Sequence, residues 1–347
     1  MNPLTETIEN LGLTSVWTYL AIFLATSLVM IWRLDALLKH GLEGTALGTL
    51  VMPYCSGLGN LVFVGIIAER HGSSAEVLTN CLVNNVTNLT LVLGLPALIW
   101  GLDLRAKANG KKSGAKSTNG TSGAKRGVGS GGDATEHQLN QLSLLLTLAA
   151  VVFFSGVTWA LGADGKLDAN DGLVLVALFL FWQCFQVFDV LKHNVRKKLS
   201  FGALFYLDAF IVLLAAYGQY ASIDWLVDWL AKQQGGFVNA EHLGWLSGWL
   251  MVLPNALLAF YYAARRRADI AYASQIGDGH VCIPLCVGLS AFIAPITVPK
   301  FFETGLAILC GAAIVHAFCV LVARGLPKWM GWPLLAAYAW FVGAGLL

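Results

Sequence analysis

The sequence predicts an all-α polytopic membrane protein of about ten transmembrane helices, arranged as two inverted copies of a five-helix unit. Three observations carry that expectation: apolar blocks of membrane-spanning length, a one-sided distribution of basic residues, and two similar polar segments five spans apart. The chain has 347 residues, 57% hydrophobic and only 12% charged, with a mean hydropathy of +0.67. A soluble domain carries about a quarter charged residues, so this composition excludes an ordinary water-soluble surface.

The apolar excess falls into blocks of roughly 20 residues, about the length that crosses a hydrocarbon core. Ten candidate spans lie near Val16–Trp32, Gly44–Ala68, Val77–Leu102, Leu142–Leu161, Asp171–Val190, Phe201–Tyr220, Leu243–Ala264, Tyr272–Ala294, Phe301–Val322 and Met330–Leu347. If the chain alternates sides, only Arg70, Lys166, Lys232 and Lys300 fall on one side. The other 18 of the 22 Lys and Arg residues fall opposite. One span more or fewer would scramble this partition. Basic loops stay cytoplasmic, which places both termini outside the cytoplasm and the protein as an integral multi-pass component of the cell membrane. The N-terminal Met1–Ser15 holds Glu6 and Glu9 and no basic residue, unlike a signal peptide.

The expected organisation is residues 1–102 as spans 1–3 of the first repeat, 103–141 as a linker, 142–200 as spans 4–5, and 201–347 as the second repeat with spans 6–10. The linker is rich in Gly, Ser, Lys and Ala, a composition that reads as a disordered, basic cytoplasmic tether. The Asn-x-Thr matches at Asn85, Asn88 and Asn119 are chance, since two fall in the membrane and one in this linker. Cys282 and Cys286 share a helix face, where a soft metal is conceivable; buried cysteine more often acts as a small hydrophobe. No P-loop, Gly-x-Ser-x-Gly or His-Glu-x-x-His pattern is present, so an enzyme is not expected, nor a cofactor or a nucleic-acid partner.

Two segments resemble each other. Asp35-Ala-Leu-Leu-Lys-His-Gly precedes an apolar span with Gly57-Leu-Gly-Asn60, then Glu69-Arg70-His71-Gly72 and a polar-studded helix. Asp228-Trp-Leu-Ala-Lys precedes a span with Leu253-Pro-Asn255, then Arg265-Arg266-Arg267 and another polar-studded helix. Five spans separate the copies, so each crosses in the sense opposite to its partner, a plan common among secondary transporters. Pro53, Gly57 and Gly59 in span 2 and Pro254 in span 7 are expected to break their helices near mid-membrane, where freed backbone lines protein or a wet cavity.

Span 3 carries Asn80, Asn84 and Asn88 at i,i+4 intervals with Asn85 beside them, a polar stripe down one helix face. Asparagine is costly in lipid unless paired, so the stripe faces an ion path or neighbouring helices. Span 8 holds Asp278, a carboxylate deep in the membrane and therefore a functional-site candidate. His280, two residues on, is a candidate proton relay, though it points to a different face. Asp208 and His316 read as locally satisfied polar groups.

Ser56-Gly-Leu-Gly-Asn60, the Asn80–Gly94 segment, Leu253-Pro-Asn255, Gly277-Asp-Gly279 and Lys166-Leu-Asp-Ala-Asn-Asp-Gly together resemble the cation/calcium antiporter superfamily of sodium/calcium exchangers. The resemblance implies ten spans, two inverted repeats and a midplane cation site. Carried over residue by residue, that site comprises Ser56, Asn60, Asn84, Asn85, Asn88, Asn255 and Asp278. In the family a glutamate stands in each repeat where this chain has Asn60 and Asn255. Calcium favours 6–8 oxygens including carboxylates; one carboxylate among amides balances one monovalent charge. The implied function is alternating-access antiport of sodium, potassium or protons. The alternatives are a calcium/sodium antiporter with an unusual site, a carrier of a small polar solute, and a receptor or scaffold retaining the fold. The expected partners are the lipid bilayer and inorganic cations, with the oligomeric state open.

Overall fold

The structure is a computed structural model and describes residues 3–39, 57–104, 131–194, 203–233 and 236–347. A short amphipathic helix α1 (Pro3–Asn10) precedes α2 (Val16–Lys39). The first repeat continues through α3 (Leu58–Glu69), α4 (Ser74–Thr87), a π-helical segment Asn88–Val92, α5 (Leu93–Trp100) and β1 (Leu102–Asp103). Then come α6 (Gly131–Leu161), β2 (Lys166–Leu167) and α7 (Ala169–Asn194). The second repeat holds α8 (Ala203–Ala231), α9 (Leu243–Ala264), α10 (Ala268–Val281), a π segment Cys282–Val287, α11 (Gly288–Ile293) and β3 (Ile296–Thr297). It closes with α12 (Phe302–Val322), β4 (Gly325–Leu326) and α13 (Gly331–Leu346).

Among the described residues, eight helices are long and apolar enough to cross a membrane. Helices α3 and α13, of 12 and 16 residues, stand where the second and tenth spans are expected. The two repeats agree element by element. Helices α4 and α10, the π segments, and strands β1 and β3 begin 194 residues apart (74 and 268, 88 and 282, 102 and 296). Both helix pairs turn through one residue of positive φ, His71 in the first repeat and Arg266 in the second. In both the chain then bonds back five residues, Gly72 N to Ile67 O and Arg267 N to Tyr262 O, the closure that caps a helix C-terminus. The strands pair antiparallel across the repeats, β1 with β4 and β2 with β3.

Burial divides the spans into a core and a rim. The continuous spans Ser74–Trp100 and Ala268–Ile293 are each 78% buried, against 22% for Ala169–Val187 and 28% for Leu204–Ala231. The outer helices turn large apolar residues such as Phe181, Leu213 and Phe318 outward, as a lipid-facing surface requires. Helix α9 lies tightly on α4 because Gly244 and Gly248 present no side chain. A Cβ on either would come within 2.6 and 2.7 Å of the Cβ atoms of Thr79 and Val83. Small residues four apart permit such close approach in membranes.

Three expectations need correction. Pro254 does not break its span: α9 runs through it from Leu243 to Ala264. The irregular backbone sits instead in spans 3 and 8, as the two π segments. Pro53 and Gly44–Ser56 of span 2 lie outside the described residues. The sixth span runs eleven residues beyond Tyr220, to Ala231, because its charges are paired. Arg70 reaches from the first repeat to both Asp224 and Asp228, and Lys232 bonds Asp228 at 2.5 Å. The expected 103–141 linker is structured at both edges, with Asp103 in β1 and α6 starting at Gly131.

Candidate functional site

The two π segments follow the polar residues that sequence periodicity marks. A π turn widens the helix and leaves a carbonyl out of register, a feature frequent at functional sites. In the first repeat the freed Leu89 carbonyl is taken by His316 of α12, whose Nε2 lies 2.7 Å away, while Tyr272 Oη sits 3.1 Å from its Nδ1. His316 is thus a structural partner of the irregular backbone, which agrees with its reading as a satisfied polar group. Asp208 likewise meets Arg33 at 3.0 Å, tying the start of α8 to α2.

At the centre, side chains from both repeats form one hydrogen-bonded chain. Asn84 Nδ2 donates to Asn60 Oδ1 at 3.2 Å. Asn88 Nδ2 donates to Asn84 Oδ1 at 2.7 Å and to Asp278 Oδ2 at 3.2 Å. Asn255 Nδ2 donates to the same Asp278 oxygen at 2.5 Å. None of the five is more than 1% exposed. The arrangement repeats itself: Asn84 pairs with Asn60 in the first repeat as Asp278 pairs with Asn255 in the second. Both Asn84 and Asp278 precede their π segment by four residues.

The remaining candidates divide. Asn80, at the end of the stripe, donates to Ser247 Oγ of α9 at 2.9 Å. Asn85 turns onto its own helix, donating to the Cys81 carbonyl at 2.7 Å, with the Cys282 thiol as a further partner; it stands outside the central chain. His280 is buried beside Trp182, ring centroids 6.2 Å apart. Neither of its nitrogens has a hydrogen-bond partner among the described residues, so it lacks the neighbour that a relay with Asp278 needs. Ser56 lies outside the described residues. Sequence reasoning passed over Gln275, whose Nε2 donates to the Asn255 carbonyl at 3.0 Å; its position three residues before Asp278 was the available signal. Among the described residues no group of three or more His, Cys, Asp or Glu is disposed to hold a metal ion; Cys282 and Cys286 are buried in the core.

Among the described residues the amides touch one another directly. A cavity of about 10 Å³ abuts them, bounded by Ser27, Gly59, Gln219, Met251, Pro254 and Asn255, near the minimum that admits one water.

A family model described as sodium/calcium exchanger protein matches residues 11–188 and 207–346. The chain belongs to that family. Like the other sodium/calcium exchanger family members it is an integral, multi-pass ion-transport protein, and its two repeats are the exchanger repeats. It is similar in fold to solved structures of the sodium-calcium exchanger NCX_Mj soaked with sodium and strontium. One matches with a TM-score of 0.65 at 15% identity, covering 94% of this chain and 96% of that one; a second has 0.64 at 16%, with the same coverage. A third, soaked with sodium and calcium, gives 0.63 at 17%, covering 95% and 96%. A search of curated proteins returns no match.

Proposed function

We propose that this exchanger-family protein is a secondary cation antiporter that works by alternating access and carries a monovalent cation, sodium, potassium or a proton, at Asp278. Both termini would lie outside the cytoplasm of the cell membrane, as the basic-residue partition supports. The observation that carries the reading is the position of Asp278: a buried carboxylate bonded to Asn88 of one repeat and Asn255 of the other. Keeping a carboxylate charged at such depth costs several kcal/mol unless an ion, a proton or a partner compensates it, and conserving that cost in a folded carrier makes sense where an ion is to be held. Asn88 and Asn255 face it with their NH₂ groups, Asn84 and Asn60 continue the chain, and a half-turn of an amide would present a neutral oxygen dipole instead. One negative charge and four amides suit a single positive charge; calcium, with its demand for several charged oxygens, is poorly served.

The test is exchange flux in proteoliposomes with ²²Na⁺ and, in parallel, ⁸⁶Rb⁺ standing for potassium, and with a luminal pH dye. Asp278→Asn is isosteric and should lower exchange about a hundredfold or more while leaving thermal stability in detergent essentially unchanged. Undiminished flux in Asp278→Asn would remove this residue from the mechanism.

A further inference from the structure

An open groove of about 220 Å³ lies between α6 and α12. Ser155, Gly156 and Trp159 line it from α6, and Glu303, Leu306 and Cys310 from α12. Spacings of three and four put each set on one face of its helix. Trp159 stands near the end of α6 and Glu303 at the second residue of α12, so both lie at the same boundary of two membrane-spanning helices. From Glu303 to Cys310 the helix rises about 10 Å, which carries the groove into the apolar layer. The gap is local. Just beyond α6 the same two segments press together, since a Cβ on Gly162 would come 2.9 Å from the Phe302 ring.

The groove holds polar groups that the chain leaves unanswered. The Glu303 carboxylate pairs with no cation among the described residues. Its place in the first turn of α12 favours negative charge there. Trp159, 51% exposed, stands on the facing helix. At the inner end Ser155 is 0% exposed, and its Oγ has no hydrogen-bond partner among the described residues; the Cys310 thiol lies beside it. Gly156 keeps the wall open, for a Cβ there would meet nothing within 4 Å.

We propose that this groove binds a phospholipid whose head carries a primary ammonium group, an ethanolamine lipid. The ammonium meets the Glu303 carboxylate and the face of the Trp159 ring. An apolar cavity of about 150 Å³ takes a benzene ring, so the space over Gly156 and beside Leu306 accepts the carbons that follow. Ser155 supplies a hydroxyl donor at depth, where the lipid brings ester carbonyls. Charge decides among occupants. An anionic head would set like charge against Glu303, and a bare hydrocarbon chain would leave both Glu303 and Ser155 unpaired. A second copy of the chain would bury the carboxylate without a cation.

The purified full chain is equilibrated in micelles with ¹⁴C-labelled dioleoyl phosphatidylethanolamine or dioleoyl phosphatidylglycerol, exchanged into lipid-free detergent, and counted for retained label. Wild type should keep the ethanolamine lipid about fivefold better than the glycerol lipid. Glu303→Gln removes the charge at constant size and should bring that ratio to within about twofold of unity. Gly156→Leu, whose side chain enters open space, should lower retention of the ethanolamine lipid about fivefold. Should Gly156→Leu fail to fold, the Glu303→Gln ratio decides. Equal retention of the two lipids by wild type, preference for the glycerol lipid, or a ratio unmoved by Glu303→Gln overturns the inference. So does an altered oligomeric state of Gly156→Leu by light scattering at an unaltered lipid ratio, which assigns the groove to a second copy. Because the readout is bound lipid, the outcome is independent of what Asp278 carries.

Discussion

In the first repeat the residue four positions before the π segment is Asn84; in the second it is Asp278. Each meets an asparagine from the preceding helix, Asn60 and Asn255 respectively. The starts of α4 and α10, the capping turns before them, the π segments and strands β1 and β3 correspond, yet at this place one repeat supplies a dipole and the other the charge. The backbone plan therefore fixes where a functional group stands, and the side chain at that place decides its chemistry separately in each copy. Asn88 makes the junction, since it bonds Asn84 on its own helix and Asp278 across the interface.

If the two positions are equivalent, the charge should be movable. In Asp278→Asn the carboxylate is lost; adding Asn84→Asp restores one on the other repeat, still within reach of Asn60 and Asn88. The double variant should recover at least about tenfold of the exchange that Asp278→Asn loses. Recovery below that, in a protein of unchanged thermal stability, would show that the repeats differ in more than charge.

How much of this was legible beforehand follows from which interactions are local. The succession of apolar spans and the core asparagine stripe are local features of one chain, and Asn84 and Asn88 could be placed on one face from their spacing alone. The partners could not. Asn80 meets Ser247, and Gln275 meets the Asn255 carbonyl, contacts that exist only after α9 packs on its neighbours. Proline was the visible sign of irregular backbone, but α9 absorbs Pro254. The π segments at Asn88–Val92 and Cys282–Val287 leave little trace in composition because a helix widens where a distant group can receive the freed carbonyl. The long α8 was cut short for a similar reason: Asp224 and Asp228 read as loop residues until Arg70 answers them.

That dependence on a distant group gives the next test of the comparison. The first repeat's π segment leans on His316, and with Nε2–H donating to Leu89 O the tautomer leaves Nδ1 to accept from Tyr272. His316→Phe keeps a ring of similar size and removes both bonds. A buried carbonyl left unpaired costs about 1–3 kcal/mol, which lowers the thermal midpoint in detergent by a few degrees. His316→Gln, which retains a donor, should recover part of it. Equal midpoints for wild type and His316→Phe would mean that the π turn holds itself.

The smallest effect belongs to the rim, where the repeats are clasped by charge rather than by amides. Arg70, on the turn after α3, pairs with Asp224 and Asp228 near the end of α8. The side chains are 32% exposed for Arg70, 30% for Asp224 and 42% for Asp228, so water and salt screen them. Exposed pairs are worth about 0–1 kcal/mol, and a three-membered cluster sits at the upper end of that range. Lys232 also remains beside Asp228 when Arg70 is removed, which softens the loss. Arg70→Ala should therefore lower stability by about 1 kcal/mol at most, with the difference from wild type shrinking as salt rises through the Debye range. A loss several times larger and insensitive to salt would mean that the clasp is dry, and that contact between the repeats depends on charge at the rim as much as on hydrogen bonds at the centre.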